Sequence, residues 1–362
     1  MIINTKYIIE RELHMLKKQK KPFIHMLLFS IVAILLLAGC SSNSSESEKS
    51  KSDASNKDNK YPITIKHAFG ETVIEEKPER VATIAWSNQD VALDLGVVPV
   101  GFSAANYGVQ DDSGMLPWTK EKVEELGEKN PNIYQDTDGL DFEAIADSDP
   151  DVILAAYSGI TQEEYDTLSE IAPVVAYQTS PWVASWKEQV TYNSIGMGME
   201  EEGKQLIADT EKLIEDKASE HAEIKGKKAA FISLNGADLS KFYVYSPADP
   251  RGEFLTELGM EYPESITSQI TDPNSFYIEV SAENADMLNE ADIIVSYGDD
   301  KTLATLQADP IFSKIPAVER GSVVIIGDNT PLAASGTPST LSIKYTIDEY
   351  LSLLSEAASK VK

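Results

Sequence analysis

The chain has 362 residues and a formal net charge of −28, and because its first 39 residues hold six Lys/Arg and two Glu, the remainder carries about −32. A surface this acidic repels nucleic acid and anionic lipid headgroups, which excludes both as binding partners, and it also favours solubility. Cys40 is the only cysteine, which excludes disulfide bonds and cysteine metal sites from the folded domain.

The N-terminal segment has the features of an export signal. A lysine-rich stretch at residues 17–21 precedes an apolar run from Met26 to Ala38, which is shorter than the roughly 20 residues that a membrane-spanning helix needs. The run ends in Leu37-Ala38-Gly39-Cys40, which resembles the lipobox of bacterial lipoproteins. We therefore expect residues 1–39 to be a signal peptide and Cys40 to carry the lipid that anchors the protein at the outer face of the cytoplasmic membrane.

Two further segments flank this signal. Residues 1–14 carry two acids and fit no region of a signal peptide, so we expect translation to start at Met15 rather than at Met1. Residues 41–60 are rich in Ser, Lys and Asp, with Ala54 as their one apolar residue, and such a segment cannot bury enough surface to fold. We expect residues 40–60 to form a flexible tether.

From Tyr61 onward, short apolar runs rich in β-branched residues alternate with amphipathic helical patterns, which predicts an α/β fold of two lobes with mainly parallel sheets. A hairpin comes first, because Ile63–Ile65 and Thr72–Ile74 flank the turn-forming pair Phe69-Gly70. The remaining predicted strands are residues 81–85, 99–102, 152–156 and 174–177 in the first lobe, and 229–234, 292–297 and 322–327 in the second.

A long helix separates these two groups of strands. Residues 200–223 are rich in Glu, Lys, Leu and Ala and lack proline, which predicts a helix of about six turns. The predicted organisation is an N-terminal lobe at 61–199, a connector helix at 200–224 and a C-terminal lobe at 225–362. Each lobe also has a glutamate, Glu143 or Glu283, shortly before an aspartate that opens a buried strand. This repetition predicts lobes related by an approximate twofold axis, with a ligand cleft between them.

Four segments together resemble the substrate-binding proteins of ABC importers, specifically the class that takes ferric siderophores and cobalamin. They are Pro78–Ile84, Leu95–Gly101, Phe142–Ile145 with Pro150–Ile153, and Ser281–Glu283. The resemblance covers residues 61–359 and implies a lipoprotein that captures a ferric siderophore and delivers it to an ABC permease for iron uptake. Haem and cobalamin remain alternative ligands.

The resemblance also implies how such a protein docks on its transporter. Members of this class present one glutamate on each lobe to arginines of the permease subunits. The matching residues are Glu143 and Glu283. Both are also acids expected at helix N-termini, where the helix dipole favours them, and the two roles are compatible.

A ferric siderophore saturates its iron with its own oxygens, so a binding protein needs aromatic walls and a few donors rather than metal ligands or a further cofactor. Aromatic residues and one arginine follow the predicted strands in both lobes. The candidate ligand-binding residues are Trp86, Tyr107, Tyr157, Trp182, Trp186, Tyr243, Tyr245, Arg251, Phe276, Tyr277 and Tyr297.

The small number of arginines restricts the class of ligand that the cleft can bind. After Cys40 the chain has only Arg80, Arg251 and Arg320, and of these Arg251, at a predicted helix start, is the one expected to face the cleft. Strongly anionic chelates usually need several cations around them. A single arginine among aromatics favours a near-neutral hydroxamate or a mixed citrate-hydroxamate chelate.

Other classes of function are less well supported by the sequence. After Cys40 the only histidines are His67 and His221, in the predicted hairpin and near the end of the connector, which is a poor basis for a zinc or manganese site. Nucleophile elbows, phosphate-binding glycine loops and zinc-protease motifs are lacking, so we expect a monomeric binding protein rather than an enzyme. A surface lipoprotein enzyme or an adhesion lipoprotein are the remaining alternatives.

Overall fold

The structure is a computed structural model, and it describes residues 60–136 and 138–362. The expectations for the signal peptide and Cys40, and for all of the tether but Lys60, therefore lie outside the described residues. Within those ranges, none of the helices combines the length and the apolar character that a membrane span requires.

The described part of the chain opens with the predicted hairpin, formed by β1 (Ile63–His67) and β2 (Gly70–Ile74). The strands pair from Ile63 opposite Ile74 to His67 opposite Gly70, so the turn is Ala68-Phe69 and Gly70 begins the second strand. Gly70 has a φ of +126°, a conformation that side chains strongly disfavour.

The hairpin is attached to the first lobe through hydrogen bonds to an edge strand of its sheet and to the residue that follows this strand. The Thr72 hydroxyl donates to the Val174 carbonyl at 2.7 Å, and the Ala68 N–H donates to the Tyr177 carbonyl at 3.0 Å. His67 Nε2 lies 2.9 Å from Thr72 Oγ1, so this histidine has a structural partner in the hairpin.

The first lobe is built on a five-stranded, wholly parallel sheet of order β5-β4-β3-β6-β7. Its strands are almost entirely buried, as expected for strands covered by helices on both faces. The strands are β3 (Val81–Thr83), β4 (Gly101–Ser103), β5 (Ile133–Tyr134), β6 (Val152–Ala155) and β7 (Val174–Ala176). The helices are α1 (Asn88–Asp94), α2 (Pro117–Glu125), α3 (Phe142–Asp147), α4 (Gln162–Ser169) and α5 (Trp186–Gly196).

One helix, α6 (Glu200–Ser219), leads from the first lobe to the second. At 1.5 Å per residue, its 20 residues span about 30 Å. It buries Leu206, Thr210 and Ile214, a spacing of four that places them on one face. The helix ends four residues before the predicted terminus.

The second lobe is built on a mixed sheet of order β10-β9-β8-β11-β12. β8, β11 and β12 are parallel, as predicted, whereas β9 and β10 add an antiparallel extension that was not predicted. The strands are β8 (Ala229–Asn235), β9 (Asp238–Tyr245), β10 (Tyr277–Ser281), β11 (Ile293–Gly298) and β12 (Val323–Gly327).

The helices of the second lobe end with a long one that also contacts the first lobe. They are α7 (Pro250–Glu257), α8 (Glu264–Thr267), α9 (Thr302–Ala308), α10 (Pro316–Arg320), α11 (Pro331–Ala334) and α12 (Thr340–Ala358), with 3₁₀ turns at Ala282–Glu290 and Phe312–Lys314. α12 packs on β11 and β12 of its own lobe, on the connector α6, and on α1 and α2 of the first lobe. The two lobes are therefore linked by the contacts of α12 as well as by the connector α6.

The buried carboxylate of Asp90 joins α1, α2 and α12. It accepts hydrogen bonds from Trp118 Nε1 at 2.8 Å, from the Thr119 hydroxyl at 2.8 Å and from the Ser339 hydroxyl at 2.5 Å. Ser339 is the N-cap of α12, so the bond ties the start of that helix to the first lobe. Burial raises the pKa of Asp90 to about 6, against the opposing effect of these donors.

We predict that Asp90→Asn changes how stability depends on pH. Because the folded-state pKa of Asp90 lies above its ordinary value, its protonation favours the folded state in acid, and this contribution is lost as the pH rises through 6. The free energy of unfolding of the wild type, relative to that of Asp90→Asn, should fall by about 2 kcal/mol between about pH 4 and about pH 7.

Urea denaturation across this range measures the difference between the two proteins. Glu121→Gln, which removes an exposed carboxylate from α2, is the matched control and should show no such trend. A constant difference between wild type and Asp90→Asn would contradict the raised pKa.

Candidate functional site

Three aromatic residues of the first lobe lie just beyond the carboxyl ends of its parallel strands. Trp86 follows β3, Tyr107 follows β4 and Tyr157 follows β6. These ends lie at one edge of the sheet, which is where α/β sheets bind their ligands. Trp86 and Tyr107 are partly exposed, whereas Tyr157 is only 3% exposed.

Asn88 holds two of these loops together. Its side-chain N–H₂ donates to the Ile84 carbonyl at 2.8 Å and to the Tyr157 carbonyl at 2.9 Å, and its oxygen accepts from the Tyr157 N–H at 3.1 Å. Between the strand and this residue, Ala85 and Ser87 have φ angles of +63° and +57°, which are uncommon for residues other than glycine. Sequence reasoning missed Asn88, because a buried asparagine and an exposed one look alike in a single sequence.

Trp182 packs edge-on against Tyr157, with ring centroids 5.3 Å apart. Its backbone N–H donates to the Ser158 carbonyl at 3.1 Å, and its φ is +62°. The indole also lies so close to Gly159 that a Cβ at that position would overlap it. The position of this indole therefore depends on a glycine in the loop after β6.

In the second lobe, Arg251 lies among tyrosines at the start of α7. Its Nε donates to the Tyr297 hydroxyl at 2.9 Å, and its Nη1 donates to both carboxylate oxygens of Asp249 at 2.8 and 3.0 Å. The guanidinium carbon lies 4.3 Å from the centroid of the Tyr245 ring, a cation–π distance. Asp249 raises the pKa of Arg251 despite the opposing effect of burial.

Tyr157 brings the first lobe to this arginine. Burial raises the pKa of its hydroxyl well above the ordinary value, and Arg251, Asp249 and Tyr297 lie near enough to affect this pKa to a smaller extent. Tyr157 of the first lobe and Tyr245, Arg251 and Tyr297 of the second thus form one group, the tyrosine cluster.

A second contact between the lobes involves Tyr107. Its hydroxyl donates to Asp328 at 2.6 Å and accepts from the Asn329 N–H at 3.0 Å. The Gly108 N–H donates to the Asn329 side-chain oxygen at 2.8 Å. Burial raises the pKa of Tyr107, and the bond to Asp328 adds to the shift. This pair of loops is therefore a second connection between the lobes.

The other candidates make aromatic and hydrogen-bond contacts of their own. Tyr243, Phe276 and Tyr277 form an aromatic group along β9 and β10, with Tyr243 and Tyr277 centroids 5.4 Å apart. Trp186 is 2% exposed and its indole donates to Glu257 of α7 at 2.6 Å, so it packs in the core where the two lobes meet.

The two glutamates expected to meet a permease are both exposed. Glu143 lies in the first turn of α3, and Glu283 lies in the first turn of the 3₁₀ helix at Ala282–Glu290. Neither has a distinctive environment within the described part of the chain, so their positions are compatible with a surface role.

Arg80 and Arg320 make bonds outside the tyrosine cluster. Arg80 donates to the carbonyls of Ser148 and Asp149, and Arg320 donates to the Asp292 carbonyl and to the Ser322 hydroxyl. His221 Nδ1 lies 2.6 Å from the Ser355 hydroxyl. In residues 60–136 and 138–362, no group of three or more His, Cys, Asp or Glu residues could hold a metal ion.

Comparison with known proteins gives a consistent result. Residues 81–330 match the model of a periplasmic binding protein family. The crystal structure of Streptococcus pneumoniae PiaA in complex with ferrichrome is 55% identical, covers 83% of this chain and 100% of PiaA, and superposes with a TM-score of 0.80.

Curated relatives are more distant. The probable siderophore-binding lipoprotein YfiY of Bacillus subtilis is 29% identical over 247 residues, which cover 67% of this chain and 69% of YfiY. The ferric enterobactin-binding periplasmic protein FepB of Escherichia coli is 27% identical over 282 residues, which cover 75% of this chain and 85% of FepB.

We predict that Gly159→Ala displaces the Trp182 indole. Because the added methyl group would overlap the ring, the variant should lose about 1–3 kcal/mol of stability, and its tryptophan fluorescence should become more accessible to acrylamide. Gly236→Ala is the matched control, because a Cβ there meets open space. Its stability should stay within about 0.5 kcal/mol of the wild type. Equal behaviour of the two variants would contradict the proposed packing of Trp182.

Proposed function

The chain belongs to the periplasmic binding protein family, and from that premise we propose that it captures a ferric siderophore outside the cell and delivers it to an ABC permease for iron uptake. The observation that carries the proposal is the likeness to PiaA in complex with ferrichrome, which extends over the whole of that chain at 55% identity. YfiY and FepB, both named for siderophore binding, support the same function.

The tyrosine cluster suits this cargo. A ferric siderophore presents a bulky, partly apolar surface and a ring of iron-bound oxygens that accept hydrogen bonds. Tyr157, Tyr245 and Tyr297 supply aromatic surface and hydroxyl groups, and Arg251 supplies charged N–H donors at the same place. The protein needs no metal ligand of its own, because the chelate already coordinates the iron.

We infer that the cargo is a hydroxamate or citrate-hydroxamate chelate. Arg80 and Arg320 donate to backbone carbonyls away from the cluster, which leaves Arg251 as the arginine among the tyrosines. A strongly anionic chelate usually requires several cations. The ligand in the PiaA complex is ferrichrome, which supports a hydroxamate as the cargo of this protein.

We also propose that the protein is a lipoprotein. The supporting observations are the sequence Leu37-Ala38-Gly39-Cys40 and the description of YfiY as a lipoprotein. A lipid on Cys40 would hold the domain on the outer face of the cytoplasmic membrane, on a tether with a coil length of roughly 25 Å. Mass spectrometry of the mature N-terminal peptide tests this modification.

A fluorescence titration tests the proposed cargo. A ferric trihydroxamate should quench the tryptophan fluorescence stoichiometrically, and the chelate should be recovered unchanged, since binding involves no turnover. Arg251→Ala should weaken binding by tenfold or more, because it removes charge-assisted hydrogen bonds worth about 1.5–3 kcal/mol each. Ferric citrate, haem and cobalamin serve as comparison ligands. Saturable binding of haem or cobalamin with no response to the siderophores would replace the proposed cargo.

Permease docking is tested separately in cells. We propose that Glu143 and Glu283 meet arginines of the two permease subunits, so the double variant Glu143→Ala/Glu283→Ala should lose iron uptake from the chelate while its affinity for the chelate is unchanged. Glu121→Ala/Glu264→Ala removes two other exposed glutamates, one from each lobe, and should retain uptake. Normal uptake by the Glu143/Glu283 variant would remove both residues from the docking surface.

A further inference from the structure

The carboxylate of Asp249 neutralises the arginine of the binding cluster. Both of its oxygens accept from Arg251 Nη1, at 2.8 and 3.0 Å, and its side chain is only 1% exposed whereas that of Arg251 is 19% exposed. Such a pair, largely removed from water, carries almost no net charge as seen from the rest of the cluster.

The local chain holds Asp249 in this position. Asp249 is the N-cap of α7 and accepts from the Arg251 backbone N–H at 2.8 Å, and Pro250 occupies the first turn of the helix, where its fixed φ suits a helix start. The same carboxylate therefore caps the helix and pairs with the side chain two residues further on.

The remaining faces of the guanidinium are also occupied in part. Nε donates to the Tyr297 hydroxyl at 2.9 Å, and the Tyr245 ring stacks on the group at 4.3 Å. Within residues 60–136 and 138–362, Nη2 has no hydrogen-bond acceptor, so this group is left to donate to a ligand oxygen while the Asp249 pair stays intact. A neutral acceptor can use it without disturbing the pair.

We propose that Asp249 determines the charge selectivity of this site, so that it accepts neutral ferric chelates and rejects strongly anionic ones. This inference rests on the proposed function. Three hydroxamates cancel the charge of Fe³⁺ and give a neutral chelate, whereas three catecholates leave a trianion. To neutralise a trianion, Arg251 would have to leave Asp249, and the buried carboxylate would then be unpaired, which is strongly unfavourable.

Negative charge elsewhere on the protein also disfavours anionic chelates. The chain carries a large excess of acidic residues, and among the loops beyond the strand ends Asp328 accepts from Tyr107. An excess of negative charge on a protein lowers the local concentration of anionic ligands.

Asp249→Asn tests the proposal directly, because asparagine keeps the size of the side chain and can still cap the helix. In titrations with a neutral ferric trihydroxamate and a trianionic ferric tricatecholate, the wild type should prefer the trihydroxamate. Asp249→Asn should shift this preference toward the tricatecholate by tenfold or more. Glu264→Gln, which removes one exposed negative charge from the same lobe, should leave the preference unchanged.

Arg251→Gln provides a second test that does not depend on the folding of Asp249→Asn. It leaves the carboxylate without its cation, so discrimination against the tricatecholate should increase. In the double variant Asp249→Asn/Arg251→Gln the gain in tricatecholate affinity should disappear, since the unpaired cation is gone.

The results of these titrations distinguish a failure of the role proposed for Asp249 from a failure of the proposed siderophore capture. Equal changes in affinity for both chelates in Asp249→Asn, or a wild type without preference, would overturn the role of Asp249 and leave siderophore capture intact. Binding of neither chelate by a wild type that unfolds cooperatively would overturn the proposed function itself.

Discussion

The hydrogen bonds to the Asp90 carboxylate are the interaction on which the arrangement of the two lobes depends. A carboxylate removed from water is costly unless donors surround it, and here the donors come from α2 of the first lobe and from the start of α12 in the second. Separating the lobes at this point would remove the Ser339 donor and leave the carboxylate with donors from the first lobe alone. Beside it, Lys344 on α12 pairs with Asp94 on α1 at 2.6 Å. These polar contacts therefore fix the position of one lobe relative to the other, whereas a purely apolar contact would allow the lobes to slide.

This contact between the lobes explains why the tyrosine cluster can be assembled from distant parts of the chain. Tyr157 comes from one lobe and Arg251 from the other, so their relative position is only as well defined as the contact between the lobes. α6 and α12 both run across that contact, and Trp186 adds a bond to Glu257. With the lobes held in this way, small movements within loops, rather than a wide opening, are the expected response to a ligand.

Much of the fold could be predicted from the chain, because buried parallel strands appear as short apolar runs. β3, β6, β8, β11 and β12 were each found within two residues of the predicted position. β5 was missed because two residues carry no pattern, and β9 was missed because its first half, Asp238–Lys241, is largely exposed and polar. The individual site residues were less predictable. Asp90 looks like the polar face of a helix, and its burial depends on Ser339, which lies far along the chain. Asp249 looks like an ordinary helix cap, and its pairing with Arg251 appears only in three dimensions.

The hairpin of β1 and β2 limits how neighbouring copies of the protein can pair with one another. β7 is an edge strand of its sheet, and an exposed edge strand offers free backbone groups to a neighbouring molecule. The Thr72 hydroxyl and the Ala68 N–H occupy carbonyls of Val174 and Tyr177 at this margin, so the hairpin covers it. Where copies of the protein are concentrated, this cover guards against strand-to-strand aggregation.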